Sequence, residues 1–227
     1  MRQVFPPPTG ATRVPADPFA TSLRQLRVLP PGTPILTHDG REIRRPGRVL
    51  DVPLVRGDLQ QCADTIIRLR AEWLRDAGHT VRFHATSGDP LPWKRFKNGE
   101  YAVAVDNRIR WRTGRTGNWD AYLRAVFTWA GTASLAERDT IAVNGPPQPG
   151  HLLVDPGFPG HAVVLLDVAT RGDSTFVLIA QGFMPAQSAH VVPGPYEGWW
   201  RWEPGVDLPV WSFKGSDLRR FRDPTTE

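Results

Sequence analysis

The chain has one cysteine, Cys62, in the stretch Asp58-Leu59-Gln60-Gln61-Cys62-Ala63-Asp64-Thr65-Ile66-Ile67-Arg68-Leu69. A thiol does nucleophilic chemistry only where something favours its deprotonation. Leu59, Cys62, Ile66, Leu69, Trp73 and Ala77 recur at steps of three and four, the apolar stripe of a core-packed helix. Asp58, with Gln61 three residues on, forms a capping-box pattern that starts this helix and puts Cys62 in its first turn. The partial positive charge there favours a thiolate, so the expected thiol pKa is lowered.

Such a nucleophile needs a base and a group to orient the base. His161 stands immediately before the most hydrophobic run of the chain, Ala162-Val163-Val164-Leu165-Leu166, and follows Gly157-Phe158-Pro159-Gly160. Gln181 closes the next run, Thr175 to Ala180. If the two runs are antiparallel strands joined through Arg171-Gly172-Asp173-Ser174, the end of one lies beside the start of the other. Gln181 would then hydrogen-bond the His161 imidazole. Cys62 as nucleophile, His161 as base and Gln181 as orienter is the logic of a thiol hydrolase. The Cys62 N–H would be one oxyanion donor and the side chain of Gln60 or Gln61 a second. Gln187 and His190, after Met184-Pro185-Ala186, either line the same cleft or hold its loop together. Asp167 is a rival orienter, but six residues along the His161 strand place it roughly 20 Å away.

Each residue also has a structural reading. A cysteine on the apolar face of a helix serves as a small core residue. Trp199, Trp200 and Trp202 offer a stacking platform, with packing against the core as the favoured role.

The elements that must position these residues read as α+β. Phe19–Leu26 is a short helix stopped by Pro30-Pro31, and Asn118 or Asp120 caps another carrying Tyr122, Leu123, Val126 and Phe127. Tyr101–Val105 and Arg108–Trp111 flank Asp106-Asn107 as a hairpin. Leu152–Val154, Ala162–Val168 and Thr175–Ala180 are apolar enough to be central strands buried on both faces. Residues 1–17 are proline-rich and read as an extended arm, and 18–223 as one domain.

At 227 residues with 40% hydrophobic content and nine tryptophans, the chain can bury one sizeable core. One cysteine excludes an internal disulfide. The six histidines show no metal-ligand spacing, so neither a metal nor another cofactor is expected. A net charge of +5, carried mostly by dispersed arginines, disfavours a nucleic-acid surface. No apolar run approaches a membrane span, and Met1–Pro8 lacks the apolar region of a signal peptide, so a soluble, cytoplasmic chain is expected.

Two resemblances bear on this pattern. The order of cysteine helix, histidine strand and polar strand end resembles the papain-like cysteine hydrolases, including the bacterial NlpC/P60 group. It rests on Gly160-His161-Ala162-Val163-Val164 and Phe176-Val177-Leu178-Ile179-Ala180-Gln181. His151 stands where NlpC/P60 proteins usually carry an acid at a strand start. A second similarity runs from Phe19 to Phe221 and is to the bacterial DUF4846 proteins. It is carried by Asp58 to Asp64, Ile67 to Glu72, Val126-Phe127, Ala130-Gly131-Thr132, Ser134-Leu135, Pro159 to Val163, Leu178 to Gln187 and Leu218 to Phe221. It implies that Cys62, His161 and Gln181 lie in the family's characteristic segments. The papain-like resemblance implies a peptidase or amidase, or an acyltransferase, with a small peptide or amide as substrate. The other class compatible with these residues is a non-catalytic ligand- or peptide-binding module.

Overall fold

His161–Arg171 is the longest strand of the protein, and its first nine residues are buried. A run so apolar needs cover on both faces, and the rest of the chain supplies it. The computed structural model describes residues 1–114 and 117–225. Numbered along the chain, its main strands are β1 (Thr12–Arg13), β2 (Arg48–Val49), β3 (Thr140–Ala142), β4 (Leu152–Asp155), β5 (His161–Arg171), β6 (Ser174–Gln181), β7 (His190–Val192), β8 (Trp200–Arg201), β9 (Gly205–Leu208), β10 (Trp211–Lys214) and β11 (Leu218–Phe221). Nine of them form one sheet in the order β2-β7-β6-β5-β4-β11-β3, with β1 also on β5 and β8 also on β6. Every pairing in it is antiparallel. The remaining two, β9 and β10, pair as a separate hairpin. With the helices set against it, this is an α+β fold.

Alternation along β5 divides the core in two. Ala162, Val164 and Leu166 pack with Ile66, Ile67 and Ala71 of helix α2 (Cys62–Asp76). Val163 and Leu165 pack with Val206, Leu208 and Phe213 of the β9–β10 hairpin. Ile66 and Ile67 are fully buried, and each such side chain stabilises the fold by about 1.5–3 kcal/mol.

A bulge between Leu165 and Asp167 shifts the β5–β6 register by one residue. Asp167 is buried there and accepts hydrogen bonds from Arg13 Nε at 2.6 Å and Arg24 Nε at 2.8 Å. Arg24 belongs to helix α1 (Pro18–Gln25), so this one carboxylate ties the N-terminal segment, α1 and the sheet together. Phe5 is buried and Pro6 accepts the Trp199 indole N–H at 2.7 Å. Residues 1–17 therefore lie on the sheet and contribute β1 to it.

Helix α3 (Trp119–Trp129) is capped by Asn118, which accepts from the Ala121 N–H at 2.8 Å. The hairpin Glu100–Val105/Arg108–Thr113 turns through Asp106 and Asn107 at φ 50° and 57°, the backbone that a two-residue turn requires. Trp199 is buried and the Trp200 N–H donates to the Val192 carbonyl at 2.9 Å, so these tryptophans pack rather than form a platform. Among the described residues no helix is long and apolar enough to cross a membrane.

Candidate active site around Cys62

Helix α2 begins three residues later than expected. Its N-cap is Gln61, not Asp58, and Cys62 is the first helical residue. Asp58 and Asp64 both fit a cap pattern, and the box forms with Asp64, whose Oδ2 accepts the Gln61 N–H at 3.0 Å. Asp58 instead accepts from the Gln61 side-chain amide at 3.1 Å and from the Ala186 N–H at 2.6 Å. It fastens the helix start to the loop that follows β6.

Two glycines bring the strand ends against this helix start. A Cβ on Gly182 would lie 2.3 Å from Thr65 Oγ1 and 2.8 Å from the Gln61 carbonyl. One on Gly160 would lie 2.5 Å from Thr132 Oγ1 and 2.8 Å from the Asp155 carbonyl. Gly160 precedes His161 and Gly182 follows Gln181, so close approach at these two positions sets the frame of the site.

Cys62 lines a surface cleft of ≈ 440 Å³ together with Gln61, Asp64, Thr132, Phe158 and Met184. Phe158 is 84% exposed and Met184 55% exposed, which gives the cleft an apolar rim. The thiol itself is buried at 8% exposure. Burial pushes its pKa up; the Ala162 N–H, hydrogen-bonded to the sulfur, opposes this, and the charge of Asp64 adds to it. The lowered thiol pKa expected from the helix start is thus outweighed by desolvation. Asp64 is buried too, and desolvation raises its carboxyl well above the usual range.

His161 and Gln181 meet on the opposite face of β5 and β6 from most of the helix contacts. His161 Nε2 lies 2.9 Å from Gln181 Oε1, and both residues are buried. The ring is held by Phe183, Trp211 and Phe213, with centroids at 5.0, 5.5 and 5.7 Å. Burial lowers the His161 pKa to about 4, with the Gln181 hydrogen bond opposing and the Arg45 charge adding to the shift.

His190 completes a chain of hydrogen bonds that fixes the His161 tautomer. Its Nδ1 lies 2.9 Å from the Ser188 carbonyl, which only accepts, so Nδ1 carries the hydrogen. Burial lowers the His190 pKa and keeps the ring neutral, which leaves a lone pair on Nε2. The Gln181 amide nitrogen donates to that lone pair at 3.3 Å, turning its oxygen toward His161. His161 Nε2 must then donate, and Nδ1 keeps the free lone pair of a base. Among the described residues His161 and Cys62 share no hydrogen bond; the nearest link is through Ala162, whose N–H faces the sulfur.

The other glutamines divide. Gln60 is buried, its oxygen accepting from Val55 N–H and Arg68 Nη1 at 3.3 and 3.0 Å, and its nitrogen donating to the Pro53 carbonyl at 3.1 Å. It braces the 53–60 loop and is not among the residues that line the cleft. Gln61 lines the cleft. Gln187 is buried, with its amide nitrogen unpartnered, beside the bridge it makes to Thr37. Phe183, Trp211, Phe213 and Arg45 escaped the sequence reading. Only the alternation of Trp211 and Phe213, which puts both rings on one face of a strand, gave a signal for any of them.

An antiparallel sheet with a cysteine at the head of a helix laid on it defines the class as α+β, with a histidine–amide pair at the sheet end nearest that cysteine. The family model described as "Domain of unknown function (4846)" matches residues 1–220, and the chain belongs to that family. No curated protein and no solved structure matches the chain.

Proposed function

We propose that the protein is a papain-like thiol hydrolase or acyltransferase acting on the amide bond of a small peptide-like substrate. The observation that carries this reading is the Ser188–His190–Gln181–His161 hydrogen-bond chain, which leaves a basic lone pair on His161 Nδ1 next to the strand residue that contacts the Cys62 sulfur. Both groups rest uncharged: burial raises the thiol and lowers the imidazole. Attack is therefore general-base assisted rather than by a standing thiolate–imidazolium pair. Sγ adds to the substrate carbonyl as its proton passes to His161 Nδ1. The tetrahedral oxyanion takes the Cys62 N–H and the Gln61 side chain as donors. Collapse expels the amine, protonated by His161, and leaves a thioester on Cys62. Water, or an acceptor amine in a transferase, then attacks the thioester and regenerates the thiol. Phe158 and Met184 at the rim suit an apolar group on the substrate.

The buried thiol without a bond to His161 favours a second reading, a peptide-binding module in which Cys62 is a core residue. Acylation separates the two. With p-nitrophenyl acetate, the hydrolase reading expects a burst of p-nitrophenol and an acetyl group on Cys62 by intact mass. It expects neither in Cys62→Ala. Acetylation no faster in the folded protein than in the urea-unfolded chain would sink the hydrolase and leave the module.

A further inference from the structure

Among the described residues the Arg45 charge acts on both His161 and His190. Its guanidinium lies over the Phe183 ring, 5.0 Å from the centroid, and the other neighbour of that ring is the His161 imidazole, also at 5.0 Å. Among the described residues the Arg45 side chain makes no ion pair and no hydrogen bond, and its Nη1 is buried with no partner. A half-buried guanidinium in that condition is costly unless something meets it, because buried charges are paired or hydrogen-bonded. The acids that act on His161 or line the Cys62 cleft are committed elsewhere. Asp155 accepts from the Trp211 indole at 3.1 Å, and Asp58 holds Gln61 and Ala186. Asp64 is buried at the helix cap, with one oxygen on the Gln61 N–H.

A planar fork with free N–H groups, one ring away from the base, matches a carboxylate. We propose that Arg45 recognises a carboxylate on the ligand, so that the substrate class is an amide that also bears a free carboxylate. The reading rests on the proposed hydrolase for its amide, while the anion site stands on Arg45 alone. Binding would also neutralise the positive charge beside His161 and make the imidazolium formed during attack easier to reach. The groups that act on His161 are Arg45, Asp155, His190 and Gln181.

The test compares N-benzoylglycine with its neutral amide, N-benzoylglycinamide, on the full chain. The benzoyl group addresses the apolar rim, and the two probes differ only in charge. Saturable shifts of the Arg45 Nε–H signal by nitrogen NMR are expected with the carboxylate and not with the amide. In Arg45→Gln, affinity read at the Ala162 N–H should fall about tenfold, the scale of one charge-assisted hydrogen bond. Arg45→Lys should recover part of it. Equal shifts with both probes, no shift with either, or unchanged affinity in Arg45→Gln would overturn the carboxylate site. Acetylation of Cys62 is scored separately. If it fails while the carboxylate selectivity holds, the hydrolase falls and the anion site remains; the reverse result removes the anion site alone.

Discussion

Two buried or half-buried histidines in this protein face two different partners, and the contrast shows what makes one of them a candidate base. His161 donates to a neutral amide, Gln181, keeps a lone pair on Nδ1, and follows Gly160, which lines the cysteine cleft. His84 Nδ1 lies 2.6 Å from Oδ1 of Asp139, whose other oxygen accepts the His84 N–H at 3.3 Å. Burial raises the Asp139 pKa, with His84 opposing. That pair lines a cavity of ≈ 150 Å³ with Arg70, Arg82, Arg138 and Arg222 but no cysteine or serine. A carboxylate that holds both the ring nitrogen and the backbone N–H of one histidine is a structural tie; an amide that is itself fixed by a second ring sets a tautomer. Chemistry is carried by what the free nitrogen faces, not by the histidine.

The contrast can be broken or sharpened by experiment. His161→Ala should slow acetylation of Cys62 by about 10²- to 10⁴-fold, the range of a lost general base. Intact-mass time courses read it, with thiol content after unfolding as control. A rate equal to wild type would place His161 with His84 as a structural ring.

Next comes stability against pH. The folded His161 pKa is depressed to about 4 from the ordinary 6.5, so between these values the unfolded chain binds more protons and stability falls as pH falls. From pH 7 to pH 5 this single group accounts for about 2 kcal/mol. His161→Gln should shrink the difference between urea unfolding at the two pH values by that amount. An unchanged pH slope would mean the ring titrates normally.

Gln181→Leu, which removes the amide but keeps the bulk, should cost about tenfold in acetylation rate. It should also turn the His161 nitrogen shifts from a single Nε2–H tautomer to a mixture. A pure tautomer in this variant would show that the aromatic cage alone sets the ring. Smallest in effect, His84→Ala should leave acetylation within about twofold, as independent sites do. It should still lower stability by about 1–3 kcal/mol by leaving Asp139 Oδ1 unpaired. A large loss of acetylation there would erase the distinction between the two histidines.

Much of the fold was legible because period and burial coincide. The stripe Cys62, Ile66, Leu69 gave helix α2, and the apolar runs 162–168 and 175–180 gave the two central strands and their antiparallel order. The same placement puts His161 and Gln181 side by side in the sheet. Distances between elements were not legible. Gln60 looked like a free amide beside the cysteine because nothing in its spacing shows the 53–60 loop wrapping around it. The thiol pKa was expected to drop with the helix field, yet the burial that reverses it comes from strands a hundred residues downstream. Arg45 sits in a polar loop whose sequence gives no hint of the histidines it faces. The N-cap moved from Asp58 to Gln61 because Asp64, three residues past Gln61, accepts the Gln61 N–H, while Asp58 is drawn to the Gln61 side chain and the Ala186 N–H.

The order of the sheet also bears on how the chain reaches this state. β11, at Leu218–Phe221, pairs with β4 on one side and β3 on the other, so the last strand among the described residues fills an interior position. The first, Thr12–Arg13, lies on β5 more than a hundred residues away. The first strand's gap closes only once Thr170 is present, and the last strand's only once Phe221 is. Folding dominated by such non-local pairing is slow, on the order of milliseconds to seconds, and leaves strand edges open while it waits. During synthesis the sheet would remain incomplete until Leu218–Phe221 has emerged to pair with β3 and β4.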